Sequence, residues 1–185
     1  MTIERVPKKH YPKAELGRRG MALGLDFLVI WLISSFLGNS NLGIQVLQTF
    51  VFAIAWLILR VLVVYNNQGQ SLGRWAFDLK ILEVEEGEVV GRIPQLLALL
   101  KREAITGLGA ICVSIALDNI RFNPTAILLV IPLAIDCGMA FNDTQLRQAL
   151  HDRYSGTIIV SSRRGYSLDI KVKRLVENLR RNVRR

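Results

Sequence analysis

Four stretches of this chain contain almost no ionisable residues, and they constrain the fold more than any other feature. A helix of about 20 apolar residues crosses a bilayer core of about 30 Å. The second and fourth stretches meet this length, and the first meets it when its polar start is included. The third is short and contains Gly107 and Gly109, so a thin span, a re-entrant segment and half of a helical hairpin all fit it. The stretches cover residues 21–38, 44–65, 105–119 and 123–141.

We therefore predict an all-α membrane protein, built as a bundle of about four transmembrane helices. A cytoplasmic arm is expected over residues 1–17, the membrane domain over 18–161, and a basic amphipathic helix within 162–185. A small cytoplasmic β-hairpin is predicted around the turn at Gly87, because short apolar runs lie on both sides of it. A helix that begins at Pro94 is expected to lie on the membrane surface before the third span.

The distribution of basic residues predicts the orientation of this bundle. The net charge is +9, and 22 of the 24 Lys and Arg residues fall in residues 1–20, 66–103 and 142–185. The positive-inside rule then places both termini and the central loop in the cytoplasm. The same placement argues against nucleic acid as a partner. Asp26 interrupts the first apolar stretch, so we expect a retained helix and not a cleaved signal peptide.

Three charged residues inside the predicted spans lie at one depth. Asp26 follows the start of the first span, whereas Arg60 and Asp136 precede the ends of the second and fourth. Each is about five residues inside its span, or about 8 Å below the cytoplasmic surface. Arg19 shares a helix face with Asp26 and joins this predicted cluster.

An unpaired charge at the bilayer centre costs about 3 kcal/mol or more, so pairing is expected. We predict that Arg60 neutralises Asp26, Asp136 or both. Three interpretations remain open at this point: a cluster that locks helices together, a site that handles protons or cations, and an Arg60 that reaches the headgroups alone.

A second charge network is predicted in the cytoplasmic segments, at the mouth of the bundle. Its expected members are Arg18, Arg74, Arg102, Arg147, His151 and Asp152. Adjacent histidine and aspartate also suggest a metal-dependent hydrolase, but no second cluster of ligands has suitable spacing. Cys112 and Cys137 lie within predicted spans, where buried cysteine is usually a small apolar residue. We expect neither a metal nor a cofactor.

The C-terminal segment has the pattern of a basic amphipathic helix from Ser167 to Arg185. Its basic residues are Lys171, Lys173, Arg174, Arg180, Arg181, Arg184 and Arg185. Such a helix beside a membrane segment is typical of binding to anionic lipid headgroups. A partner protein is the second interpretation and RNA the third, since no aromatic platform accompanies the basic residues.

Four motifs in order resemble the RDD (Arg-Asp-Asp) family of membrane proteins, over about residues 15–161. They are Arg19-x-x-Ala22-x-x-x-Asp26, Gln70-Ser71-Leu72-Gly73-Arg74 with Leu79-Lys80-Ile81, Arg102-Glu103, and Arg147-Gln148-Ala149-Leu150-His151-Asp152 with Gly156-Thr157-Ile158-Ile159-Val160. The resemblance implies three or four helices in a bacterial-type inner, plasma or thylakoid membrane. It matches Arg19 and Asp26 to the first two letters, and either Asp152 or Asp136 to the third. It also implies either cation/proton exchange or an accessory role, and the helix after residue 165 lies outside the shared pattern.

Small size, few buried charges and the added basic helix favour an accessory, assembly or scaffold subunit of a larger membrane complex. The alternative is a component of a proton-coupled cation transporter or exchanger that uses Asp26, Asp136 and Arg60. That alternative requires an oligomer, because four short spans seldom enclose a path. An enzyme is not expected, since no nucleophile, metal set or cofactor loop is evident. The expected partners are anionic lipids, and other membrane subunits or further copies of the chain.

Overall fold

The computed structural model describes residues 11–37 and 42–162, together with residues 167, 168, 170 and 172. Over these residues the chain is mostly helical, with one small sheet. The α-helices are α1 (Leu16–Ser35), α2 (Leu42–Leu57), α3 (Val63–Asn66), α4 (Leu72–Ala76), α5 (Leu96–Asn119), α6 (Ile131–Asn142) and α7 (Leu150–Ser155). The strands are β1 (Leu79–Glu85), β2 (Glu88–Val89) and β3 (Thr157–Ser161). A π-helical segment, Ile58–Leu62, joins α2 to α3, and a 3-10 segment, Pro124–Val130, precedes α6.

Two of the helical rods are long and apolar enough to cross a membrane. They cover Gly43–Asn66, with 24 residues, and Pro124–Asn142, with 19 residues. Both correspond to predicted spans, the second and the fourth. Large apolar side chains on these rods face outward, with Phe141 74% exposed and Phe50 63% exposed. Contiguous apolar surface of this kind is rare on soluble monomers and is typical of contact with lipid or another protein.

The first predicted span, residues 21–38, overlaps α1, which has 20 residues and ends at Ser35, and the third lies within α5, which has 24 residues. The prediction of a separate surface helix before the third span was wrong, because α5 runs without a break from Leu96 to Asn119. Gly107 and Gly109 do not interrupt it. A Cβ at Gly107 would lie 3.0 Å from Trp56 Nε1, and one at Gly109 would lie 3.0 Å from Leu133 Cβ. The two glycines therefore allow α2 and α6 to approach α5 closely.

The helices pack around a small apolar core. Helix α1 packs on α2, α2 packs on α5, and α5 packs on the 3-10 segment and α6. Ile30, Phe52, Trp56 and Ala110 are buried where α1, α2 and α5 meet. The Phe52 and Trp56 rings stack with centroids 5.8 Å apart. This core holds the three helices that carry Asp26, Arg60 and Glu103, and it thereby fixes the distances among these charges.

A three-stranded antiparallel sheet with the order β2-β1-β3 packs below one end of the helices. Val84 pairs with Val89 across the turn at Glu86 and Gly87, whose φ angles are 49° and 80°. Strand β3 pairs with the other edge of β1, from Leu79 opposite Ser161 to Glu83 opposite Thr157. The sheet core includes Leu79 and Ile81, which pack with residues of α1, α3 and α5. The sheet therefore fixes α4, which precedes β1, and α7, which precedes β3, against the helices.

Candidate functional site

The buried end of the helix bundle contains a continuous network of ion pairs. Arg60, in the π-helical segment, donates from Nη1 to Asp26 Oδ2 at 2.8 Å and from Nε to Glu103 Oε2 at 2.8 Å. The Arg60 guanidinium also lies 4.9 Å from the centroid of the Trp56 ring. Of the partners considered for Arg60, which were Asp26, Asp136 or both, the structure places Asp26 within ion-pair distance. Arg60 thus connects α1 to α5.

Asp26 has two further partners, both from the segment that contains α4. Ser71 Oγ donates to Asp26 Oδ2 at 2.6 Å, and the Gly73 backbone N–H donates to Asp26 Oδ1 at 2.6 Å. A Cβ at Gly73 would overlap the carbonyl oxygen of Ala22, so only glycine allows this approach. Asp26 is fully buried, and it receives a guanidinium, a hydroxyl and a peptide N–H.

Glu103 is the centre of the network. Besides Arg60, it accepts from Arg74 Nη2 at 3.0 Å and from Arg102 Nη1 at 2.8 Å. Three guanidiniums therefore share one buried carboxylate. The sequence pattern did not predict this role for Glu103, which was expected near the end of a surface helix. The adjacent charges of Arg102-Glu103, at the start of an apolar stretch, were the available signal.

Asp152 links the network to α1 and to the last strand. Arg102 Nε donates to Asp152 Oδ1 at 3.0 Å, and Arg19 Nη2 donates to Oδ2. Burial acts to raise the pKa of Asp152, but the positive charges of Arg102 and Arg19 outweigh burial and hold this pKa well below its usual range. Asp152 is therefore a carboxylate at neutral pH.

Asp136 pairs with His151 and not with Arg60. His151 Nδ1 lies 2.6 Å from Asp136 Oδ2, and the His151 backbone N–H donates to Asp136 Oδ1 at 2.9 Å. Arg102 Nη2 lies 3.1 Å from His151 Nε2. Since a guanidinium can only donate, this contact assigns Nε2 as the acceptor and places the proton of a neutral imidazole on Nδ1, facing Asp136.

The network as a whole is balanced in charge. Its carboxylates are Asp26, Glu103, Asp136 and Asp152, and its guanidiniums are Arg19, Arg60, Arg74 and Arg102. The two predicted clusters, one in the membrane and one at the bundle mouth, are thus joined into one. Each charged residue of the network has an opposite charge or a polar partner, which offsets part of the cost of its burial.

Two predicted members of the cytoplasmic cluster have a different place in the structure. The Arg147 side chain is exposed, and only its backbone carbonyl contributes, as an acceptor for Arg19 Nη1. The backbone of Arg147 adopts the left-handed conformation, with a φ of 53°, three residues before α7 begins. Arg18 Nε, in α1, lies 3.8 Å from Oε2 of Glu15, the residue that precedes this helix. The predicted lipid-binding residues of the C-terminal helix, Lys171, Lys173, Arg174, Arg180, Arg181, Arg184 and Arg185, lie outside the described residues.

Within the described residues, no group of three or more His, Cys, Asp or Glu side chains is placed to hold a metal ion. Cys112 and Cys137 are free thiols. Outside the network, Asp143 caps the turn before α7. Hydrogen bonds from the backbone N–H groups of Gln148, Leu146 and Gln145 lower the pKa of this carboxyl, against the opposing effect of burial. The ionic network therefore offers positioned charges and hydrogen-bond donors, which can hold helices together or bind a charged group.

Comparison with known proteins places the chain in a family. No curated protein and no solved structure matches it. The model of the RDD family matches residues 13–156, a range that contains every residue of the ionic network. Together with the two long apolar helices, this match identifies a membrane protein. The chain therefore belongs to the RDD family.

Proposed function

We propose that this protein is an accessory, assembly or scaffold subunit of a larger membrane complex. In this proposal α1, Gly43–Asn66, α5 and Pro124–Asn142 cross the membrane as a bundle of four helices. Both termini and the sheet lie on the cytoplasmic side of a bacterial-type inner, plasma or thylakoid membrane. The basic segments flanking the helices support this orientation.

The observation that carries the proposal is the pairing within the ionic network. Asp26 and Glu103 each accept from at least one guanidinium at 3.0 Å or less, and Asp136 is engaged by His151. A cation carrier needs a carboxylate that exchanges its partner for the transported ion. These carboxylates instead hold α1, α4, α5 and α7 together, which is what a rigid scaffold requires.

The outer surface supports the same proposal. Phe36 is 91% exposed and Phe122 is 84% exposed, both near the ends of helices on the side away from the sheet. Phenylalanine is enriched at contacts between proteins. The basic C-terminal segment adds a second surface for anionic lipids or for a subunit.

The proposal is tested by purifying the tagged full chain in a gentle detergent and identifying what accompanies it by mass spectrometry. We expect a defined larger complex on native gels, with the same partner proteins in each preparation. A tagged membrane protein of similar size, expressed at the same level, is the control. Recovery of a homo-oligomer alone would contradict the proposal.

One observation favours a second candidate, a proton-coupled cation exchanger that works as an oligomer. His151 lines a cavity, and its Nδ1 lies 2.6 Å from Oδ2 of the membrane carboxylate Asp136. This candidate predicts proton-coupled cation flux in vesicles, and loss of that flux in Asp26→Asn and Asp136→Asn but not in the exposed control Glu86→Gln. If the wild-type chain gives no flux, or if Asp26→Asn leaves the flux unchanged, the exchanger is excluded.

A further inference from the structure

A cavity of about 160 Å³ lies against the ionic network. Its lining includes Arg19, Arg60, Arg74, Arg102 and His151. Most of its other lining residues are apolar. Among the residues that the structure describes, no carboxylate of the network lines this cavity. The network is neutral as a whole, but its charge is unevenly distributed. Its guanidiniums line the cavity and its carboxylates do not, so the cavity wall is positively charged.

Arg74 supplies a second, independent observation. It is 2% exposed, and its Nη2 donates to Glu103, but its Nη1 is buried and no group of the described chain accepts from it. Burial, together with the like charges of Arg60 and Arg102, lowers the pKa of Arg74 to about 9. A buried guanidinium with an unused N–H group is costly, and an anion in the cavity would supply the missing acceptor.

We propose that this cavity binds a phosphate group, held by Arg19, Arg60, Arg74 and Arg102. Guanidiniums bind phosphate through paired hydrogen bonds, and a phosphate offers acceptors in several directions where a carboxylate offers them in one plane. The size fits, because an apolar cavity of about 150 Å³ holds a molecule as large as benzene, and a phosphate group is of similar size.

The same cavity reaches the surface between α1 and α6. Gly20 and Phe141 line it and are both exposed, with Phe141 at 74%. Leu16 and Leu23 add apolar surface to the walls. A phosphate group could therefore arrive free in solution, or as the headgroup of a lipid whose glycerol and acyl chains remain at this opening. The site is independent of whether the protein is an accessory subunit or an exchanger.

The test uses the purified full chain in detergent, with inorganic phosphate as the probe. Thermal unfolding is followed as phosphate replaces chloride at constant ionic strength. We expect phosphate to raise the melting temperature of the wild type and of Arg121→Gln, a control that removes one exposed positive charge away from the cavity. Arg74→Gln should weaken the apparent affinity at least about tenfold, since a hydrogen bond to a charged group is lost.

Ala140→Leu is the second variant, because it fills the cavity and leaves every charge in place. Ala140→Leu should abolish the rise in melting temperature caused by phosphate. It therefore tests the proposal independently of whether Arg74→Gln folds. Native mass spectrometry from phosphatidylcholine nanodiscs, with and without phosphatidic acid, separates the two sources. Retention of phosphatidic acid by the wild type but not by Ala140→Leu identifies a lipid headgroup, and a response to inorganic phosphate alone identifies the free anion. If the wild type shows neither response, or if Ala140→Leu responds like the wild type, the proposal is overturned.

Discussion

Replacing Glu103 with glutamine removes the carboxylate that accepts hydrogen bonds from Arg60, Arg74 and Arg102. All four side chains are buried, with the exposed fraction at 2% or less. Glutamine keeps one acceptor oxygen, but its NH2 group would face a guanidinium that can only donate. The network would then carry one uncompensated positive charge away from water.

Breaking a buried ion pair by removing one partner costs about 3–5 kcal/mol. We expect a loss of unfolding free energy in this range for Glu103→Gln, measured by denaturant titration of the full chain in mixed micelles. The control is Glu86→Gln, in the exposed turn between β1 and β2, which should stay within about 0.5 kcal/mol of the wild type. A loss below about 1 kcal/mol for Glu103→Gln would show that the three guanidiniums find other partners, and it would refute the role assigned to Glu103.

Three further predictions follow from the same contacts. Gly73→Ala should destabilise the protein by about 1–3 kcal/mol in denaturant titration, because the added Cβ would push the α4 backbone away from α1. The control is Gly24→Ala, which should be neutral or stabilising because the space around its Cβ is open. The stabilising contribution of Asp152 is complete above its unfolded pKa of about 4 and is lost as the pH falls through its lower folded pKa. The unfolding free energy of Asp152→Asn should therefore fall less steeply with decreasing pH than that of the wild type. Deleting residues 167–185 should weaken binding to anionic vesicles by about 1 kcal/mol for each basic residue near the surface, and unchanged flotation with such vesicles would remove the lipid interpretation.

Depth along the helices was enough to narrow the predicted partners of Arg60 to Asp26 and Asp136. Asp26 and Arg60 lie at matching distances from the ends of antiparallel helices, and the structure places them 2.8 Å apart. The same argument did not distinguish Asp136, which has the same depth but a different partner. Depth gives the position along the bundle axis and not the position around it, so it cannot show which helix faces which.

The remaining contacts depended on features that local sequence does not encode. Gly107 and Gly109 suggested a broken or short span, but packing against Trp56 and Leu133 makes them part of one long helix. That continuity brings Glu103 into the buried network. His151 comes from a segment predicted to be cytoplasmic, and the pairing of β1 with β3 returns it to the helices. Strand pairing between residues so distant in sequence could not be derived from periodicity.

Charges inside the membrane domain neutralise one another and thereby hold its helices together. A double-mutant cycle between Asp26→Leu and Arg60→Met measures this directly, with unfolding free energy as the readout. We predict that each single variant loses about 3 kcal/mol or more and that the double variant loses much less than the sum, giving a coupling energy above about 1 kcal/mol. Additive losses, with no coupling between the two positions, would contradict the claim.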